Sequence, residues 1–176
     1  EITMSLLAKA RSKDPNAGYA TDFAAVIANL APQLKEKRIK VVTNAGGVNP
    51  LACKAAIEDK LKALGIELKI SIVTGDDLLP RAADFADVKE MFSGVAMPAK
   101  LWSMNAYLGA FPIAQALASG ADIVLTGRCV DSAIVLGPLI HEFKWAADDY
   151  DRLAAGIIAG HIIECGAQAT GGASTD

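Results

Sequence analysis

The sequence predicts an α/β fold, a parallel sheet with helices on both faces, and three observations carry that reading. Short β-branched runs alternate with longer apolar segments in the order strand, loop, helix, repeated three times, which is the pattern of a parallel sheet covered by helices. Each strand-like run ends in a polar loop that contains glycine. Finally, 52% of residues are hydrophobic but only 6% are aromatic, a balance suited to small side chains that let helices approach a sheet closely. At 176 residues the chain is long enough for one domain with a proper core, spanning residues 1–176.

The elements follow in order. Met4–Ala10 reads as a helix, closed by a turn through Asp14, Pro15, Asn16 and Gly18. Thr21 is placed to N-cap a second helix to about Lys37, bent or restarted by Pro32. Ile39–Thr43 is the first strand. After a loop, Asn49 is a natural N-cap and Pro50 fits the first helical position. That helix runs to Leu64 with Leu51, Ile57, Leu61 and Leu64 facing inward, and Gly65 takes the C′ position. Glu67–Val73 is the second strand. Between Leu78 and Lys100 a short helix is expected around Asp84–Met91. Asn105 is placed to cap a helix from Ala106 to Ser119. Asp122–Thr126 is the third strand, Ser132–Glu142 a helix kinked at Gly137–Pro138, and Asp148–Glu164 a final helix with little polar surface.

The expected architecture is therefore a three-layer αβα arrangement of Rossmann-like topology. Three parallel strands make a narrow sheet. Together with an opening already inside a helical pattern and a close in Gly171–Gly172, this fits a piece of a longer protein. The sheet is then completed by missing strands, a second copy or a partner subunit.

Composition excludes several classes. The net charge is −3 and no Lys/Arg cluster stands out, so counterion release has little to act on and no nucleic-acid partner is expected. Cys53, Cys129 and Cys165 are too far apart for a disulfide framework and read as reduced thiols in a cytoplasmic protein. Leu101–Ala121 is uncharged and long enough to cross a membrane, but Ser103, Asn105, Pro112, Gln115 and Ser119 make it loop plus buried helix, so no membrane partner is expected.

In such sheets ligands bind beyond the carboxyl ends of the strands, here the loops Asn44–Asn49, Thr74–Asp77 and Thr126–Asp131. Gly46 and Gly47, flanked by Asn44 and Asn49 and followed by a helix N-terminus, favour an anion; the alternative is a tight turn only. Neither G-x-G-x-x-G nor G-x-x-x-x-G-K-[ST] is present, so no nucleotide cofactor is evident. Asp76 and Asp77 diverge, so that one can cap the next helix while the other faces the cleft; the two readings are capping alone and a metal or general-base role. Arg128 has two readings, a bidentate clamp on carboxylate or phosphate and an ion pair with Asp131. His161 lies on an apolar helix, where the readings are a hydrogen-bonded core residue and a catalyst oriented by Glu164 three residues on. With only His141 besides, and no H-x-x-x-H or H-E-x-x-H, no metal centre is expected. Cys165–Gly172, including Gln168, reads as a further ligand-facing loop.

Four stretches, VVTNAGGVNP, NAYLGAFPIAQALASGADIVLTGRCVDSA, LGPLIHEF and AGHIIECGAQATGG, together resemble the N-terminal region of the acyclic terpene utilisation protein A (AtuA-like) family over nearly the whole chain. The segment from Gly172 to Asp176 departs from that family's Gly-Asn-Phe-Thr-Asp form. The resemblance implies bacterial catabolism of citronellol- or geraniol-type terpenoids or related branched acids, handled as coenzyme A thioesters. It places Asn44, Gly46, Gly47, Asn49, Arg128, Asp131 and Glu164–Gly172 in the family's motifs. The expected function is hydratase- or lyase-type chemistry on a branched acyl-CoA or its free acid, with Asp76, Asp131 or Glu164 supplying acid–base groups and Asn44, Gly46, Gly47, Asn49, Arg128 and Gln168 holding the ligand. The alternative is a non-catalytic binding or scaffolding subunit.

Overall fold

The computed structural model describes residues 2–172; the divergent tail at residues 173–176 lies outside them. Six α-helices and three strands follow in order: α1 (Ile2–Lys13), α2 (Phe23–Lys37), β1 (Val41–Thr43), α3 (Pro50–Ala63), β2 (Ile70–Val73), α4 (Phe111–Ala118), β3 (Ile123–Thr126), α5 (Ala133–Phe143) and α6 (Tyr150–Cys165). A 3-10 segment, Leu79–Phe85, lies between β2 and α4, and another, Gly166–Thr170, follows α6.

The sheet is parallel throughout, in the order β1-β3-β2. Every residue of β3 is fully buried, as the central strand of a sheet covered on both faces requires. Because side chains alternate along a strand, Ile123 and Leu125 point to one face and Val124 to the other. Ile123 and Leu125 meet Ile27 and Leu34 of α2 and Cys53 and Ile57 of α3, whereas Val124 meets Ile113 of α4 and Ala133 and Leu136 of α5. Each such Ile, Leu or Val contributes about 1.5–3 kcal/mol on burial. Neighbouring strands β1 and β3 therefore send their helices to opposite faces, the arrangement that opens a ligand crevice at the strand C-termini.

Several local expectations need correction. Asp22, not Thr21, occupies the N-cap of α2, whose first bonds run from Ala25 and Val26 N–H to the Asp22 carbonyl, and α2 continues through Pro32 as one helix. In α3 the buried stripe is Cys53, Ile57 and Leu61 at strict i, i+4 spacing, leaving Leu51 and Leu64 exposed. The helix expected at Asp84–Met91 is instead the 3-10 segment at Leu79–Phe85, started by Pro80. Asn105 caps no helix. Pro112 sets the start of α4 five residues later, and Asn105 pairs with Asp77 in an isolated antiparallel bridge.

Helix α6 packs chiefly on α5. Its contact face is glycine: a Cβ at Gly160 would stand 2.7 Å from the Ser132 carbonyl, and one at Gly156 would stand 2.6 Å from Leu136 Cδ1. The glycine face turned inward leaves Ile157, Ile158, Ile162 and Ile163 exposed. Among the described residues no helix is long and apolar enough to cross a membrane.

Candidate functional site

All three strands end at one edge of the sheet, and their loops touch there. A Cβ on Gly46 would lie 2.5 Å from the Thr126 carbonyl, so loop one sits directly on the end of β3. The packing explains the glycine by lack of space. The amides of this loop serve the fold: Gly47 N–H bonds the Asn44 carbonyl, Val48 N–H the Gly18 carbonyl and Asn49 N–H the Gly46 carbonyl. Gly47 has φ +54°, a left-handed conformation that favours glycine. Asn49 is fully engaged, its Oδ1 accepting from Ala52 N–H at 3.3 Å as the N-cap of α3 while its Nδ2 donates to the Pro15 and Ala17 carbonyls at 2.9 Å each. Asn44 is exposed at the rim.

Asp76 is the buried carboxylate of the site, 4% exposed. Its Oδ2 accepts the Arg128 backbone N–H at 2.7 Å and Asn105 Nδ2 at 3.1 Å. Its backbone carbonyl accepts the Ala106 N–H. One residue thus ties the loops after β2 and β3 to the segment before α4. The division of labour expected of the pair is corrected: Asp77 alone takes both contacts, Oδ1 accepting from Leu79 N–H at 3.0 Å and Oδ2 facing Arg11 of α1 at 3.4 Å, while Asp76 is buried between the loops.

Arg128 adopts the ion-pair arrangement, Nη2 to Asp131 Oδ1 at 3.2 Å, with its guanidinium 4.1 Å from the Tyr107 ring centroid. Such stacking of a guanidinium on an aromatic face is favourable. Its Nε is buried without a hydrogen-bond partner among the described residues. Asp131 in turn reaches α6, where its carboxylate comes within 4.8 Å of donor atoms of Glu164 and Cys165. The Cys165 thiol donates to Glu164 Oε2 at 2.8 Å, and His161 Nδ1 lies 3.5 Å from the same sulfur. The hydrogen bond to the Glu164 carboxylate, with some loss of solvation, pushes the Cys165 thiol up to about 11. Burial raises Cys53 to about 11 and also raises Cys129, so all three cysteines are free thiols held protonated at neutral pH. Gln168 is exposed in the second 3-10 segment.

The predicted residues therefore fall into two groups. Asp76, Arg128, Asp131 and Glu164 form a connected chain across the β3 side, whereas Asn44, Gly46, Gly47 and Asn49 border the β1 side. An open cleft of about 490 Å³ lies over the β1 and β2 side, lined by Arg11, Asp77, Leu79, Lys100, Trp102 and Asn105 among others. A smaller recess of about 180 Å³, also bounded by Arg11, Val48 and Asp77, continues from it to Asn49, Thr74 and Asp76. Lys100 Nζ stands 4.8 Å from the Trp102 ring centroid. Sequence reading missed Arg11, Lys100 and Trp102 because they sit on α1 and on an irregular stretch with no periodic signal. Sequence reading also passed over the His161–Cys165 contact, although i, i+4 positions share a helix face.

Residues 1–176, the whole chain, match the family model described as acyclic terpene utilisation family protein AtuA. No curated protein and no solved structure matches the chain.

Proposed function

The chain belongs to the acyclic terpene utilisation family AtuA, and from that premise we propose that it binds a branched terpenoid acid or its coenzyme A thioester in the cleft beside α1. One observation carries the reading: the cleft of about 490 Å³ pairs two cations, Arg11 and Lys100, with apolar walls from Val48, Leu79, Leu101 and Trp102. A pocket of that size, mostly apolar with a few convergent polar groups, is what a small apolar ligand with an anionic end requires. The cations take the carboxylate or phosphate: Arg11 bonds the Val48 carbonyl and Asp77 through Nη1 and keeps further N–H donors for a ligand, whereas the amides of Gly47, Val48 and Asn49 are already bonded within the fold. The branched chain lies on Trp102 and Leu101.

Asp77, whose carboxylate faces the cleft beside Arg11, is the group placed to move a proton, with Ser103 and Asn105 as polar partners on the same wall. Hydratase- or lyase-type chemistry fits this set, acting in the cytoplasm on a substrate whose coenzyme A carries the charged part. Asp76 holds the loops that shape the recess, and Arg128 and Asp131 hold the β3 side.

The test is thermal-shift screening with coenzyme A, geranyl- and citronellyl-type acyl-CoAs and branched acids. A ligand at a hundredfold excess over its Kd adds about 2.7 kcal/mol of stability. A response to acyl-CoAs that disappears in Lys100→Ala supports the cleft; no response to any of them removes the substrate class.

A second reading, a binding or scaffolding subunit, is favoured by the exposed Ile157, Ile158, Ile162 and Ile163 of α6. Contiguous exposed apolar surface of that kind marks interaction sites. Light-scattering mass in solution separates the two states: a dimer converted to monomer by Ile158→Asp supports docking through α6, and a wild-type monomer removes self-association.

A further inference from the structure

We propose that Asp131, Glu164 and Cys165 form a binding site for a borderline first-row dication of the zinc class, with one position left open to the neighbouring cavity. The donors come from two elements far apart in sequence, the loop after β3 and the end of α6, and one ligand atom from each lies within 4.8 Å of the others. Tetrahedral zinc with bonds of about 2.0–2.3 Å needs donor atoms roughly 3.3–3.5 Å apart, so closing the site draws the donor atoms together by up to roughly 1.5 Å.

Charge supports the same assignment. Arg128 neutralises Asp131 at 3.2 Å, but Glu164 has no cationic partner among the described residues. Two carboxylates and a thiolate, set against a dication and the Arg128 guanidinium, leave a neutral cluster. The donor mixture is selective as well: a thiolate beside carboxylates favours zinc, cobalt or iron over magnesium and calcium, which take oxygen ligands only. On binding, the Cys165 S–H bond breaks, its proton leaves to solvent and the sulfur lone pair forms the bond to the metal.

Of the three ligands Asp131 lines a cavity of about 320 Å³, together with Tyr107, Ser132 and His161, and the open position is assigned to that side. His161, whose Nδ1 already touches the Cys165 sulfur at 3.5 Å, sits where it can orient a water or ligand bound there. Spacing along the sequence hides this site, because the carboxylate that completes it is 33 positions before Glu164 on another element. Its cavity shares no lining residue with the Arg11–Lys100 cleft, so the fate of the acyl-ligand reading does not decide it.

The test titrates the full chain, stripped of metal with chelator, with Co²⁺ and then Zn²⁺. The expected result is one Co²⁺ per chain, a thiolate-to-cobalt charge-transfer band, and displacement by equimolar Zn²⁺. Cys165→Ser should remove the band, and Glu164→Gln and Asp131→Asn should each weaken Zn²⁺ binding by at least about tenfold, with circular dichroism confirming that each variant is folded. Saturation with Co²⁺ without the band, no binding at all, or variants that bind Zn²⁺ as tightly as the wild type would overturn the assignment.

Discussion

Asp76 and Arg128 are 52 positions apart in the chain, yet the Asp76 carboxylate accepts the Arg128 backbone N–H at 2.7 Å. That bond, with the one from Asn105 to the same oxygen, fixes how the loops after β2 and β3 face each other. It gives Asp76 a positioning role: Oδ2 of its buried carboxylate takes both donors, while the adjacent Asp77 remains open to the cleft.

Removing that carboxylate should therefore act on stability. Asp76→Ala strands the Arg128 N–H and the Asn105 amide, and losing hydrogen bonds to a buried charged acceptor costs about 3 kcal/mol. Urea denaturation should show the midpoint falling accordingly with an unchanged slope. A loss below about 1 kcal/mol would mean the loops are held by something else.

Gly127→Ala probes the same contact from the other side. Its Cβ would stand 2.5 Å from Asp76 Oδ1, and overpacking of this kind costs about 1–3 kcal/mol. Combined with Asp76→Ala, the two effects should be clearly less than additive, because the clash disappears with the carboxylate.

How much of this was legible in the sequence depends on the range of the interaction. Asn49 and Pro50 announced the start of α3 because an N-cap is a local bond within three residues. The three strands were legible from β-branched runs. The stretch from Leu78 to Lys100 was not, because its 3-10 turn buries no residue and its isolated bridge, Lys89 to Ala96, is local, so no buried face imposes a period. The same limit applied to the site: Arg128 next to Asp131 was readable at i, i+3, whereas Arg11 against Asp77 is a tertiary pair with no pattern to reveal it. On α6 the period was present, but the glycines, not the isoleucines, form the packed face.

That inversion gives a further prediction. Ile158 is 62% exposed, so Ile158→Asp should change the stability of the monomer by less than about 0.5 kcal/mol. Leu136→Ala, in the core between α5 and α6, should cost about 2–5 kcal/mol. Equal losses from the two would place the core on the other face of α6.

At the opposite edge of the sheet, Asp122 joins all three strand starts, accepting the Lys69 N–H at 2.8 Å and Lys40 Nζ at 2.9 Å. Burial pushes its carboxyl upward, but the Lys69 amide and the Lys40 ammonium outweigh that and leave it below the usual carboxylate value. A depressed carboxylate contributes stability that is full above its unfolded value, about 3.9, and is lost as pH falls through the folded value. Asp122→Asn should flatten the acid side of the stability curve below about pH 4 and destabilise at neutral pH, read by denaturation across a pH series. An unchanged acid limb would show that other groups govern it.

Calorimetric titration of the wild type and of an Arg11→Ala/Lys100→Ala double variant with a geranyl-type acyl-CoA addresses the cleft directly. The structure predicts saturable binding to the wild type at one ligand per chain and a loss of at least about tenfold, 1.4 kcal/mol, in the folded double variant. Equal affinity in the two proteins would place the ligand elsewhere and contradict the assignment of the cleft.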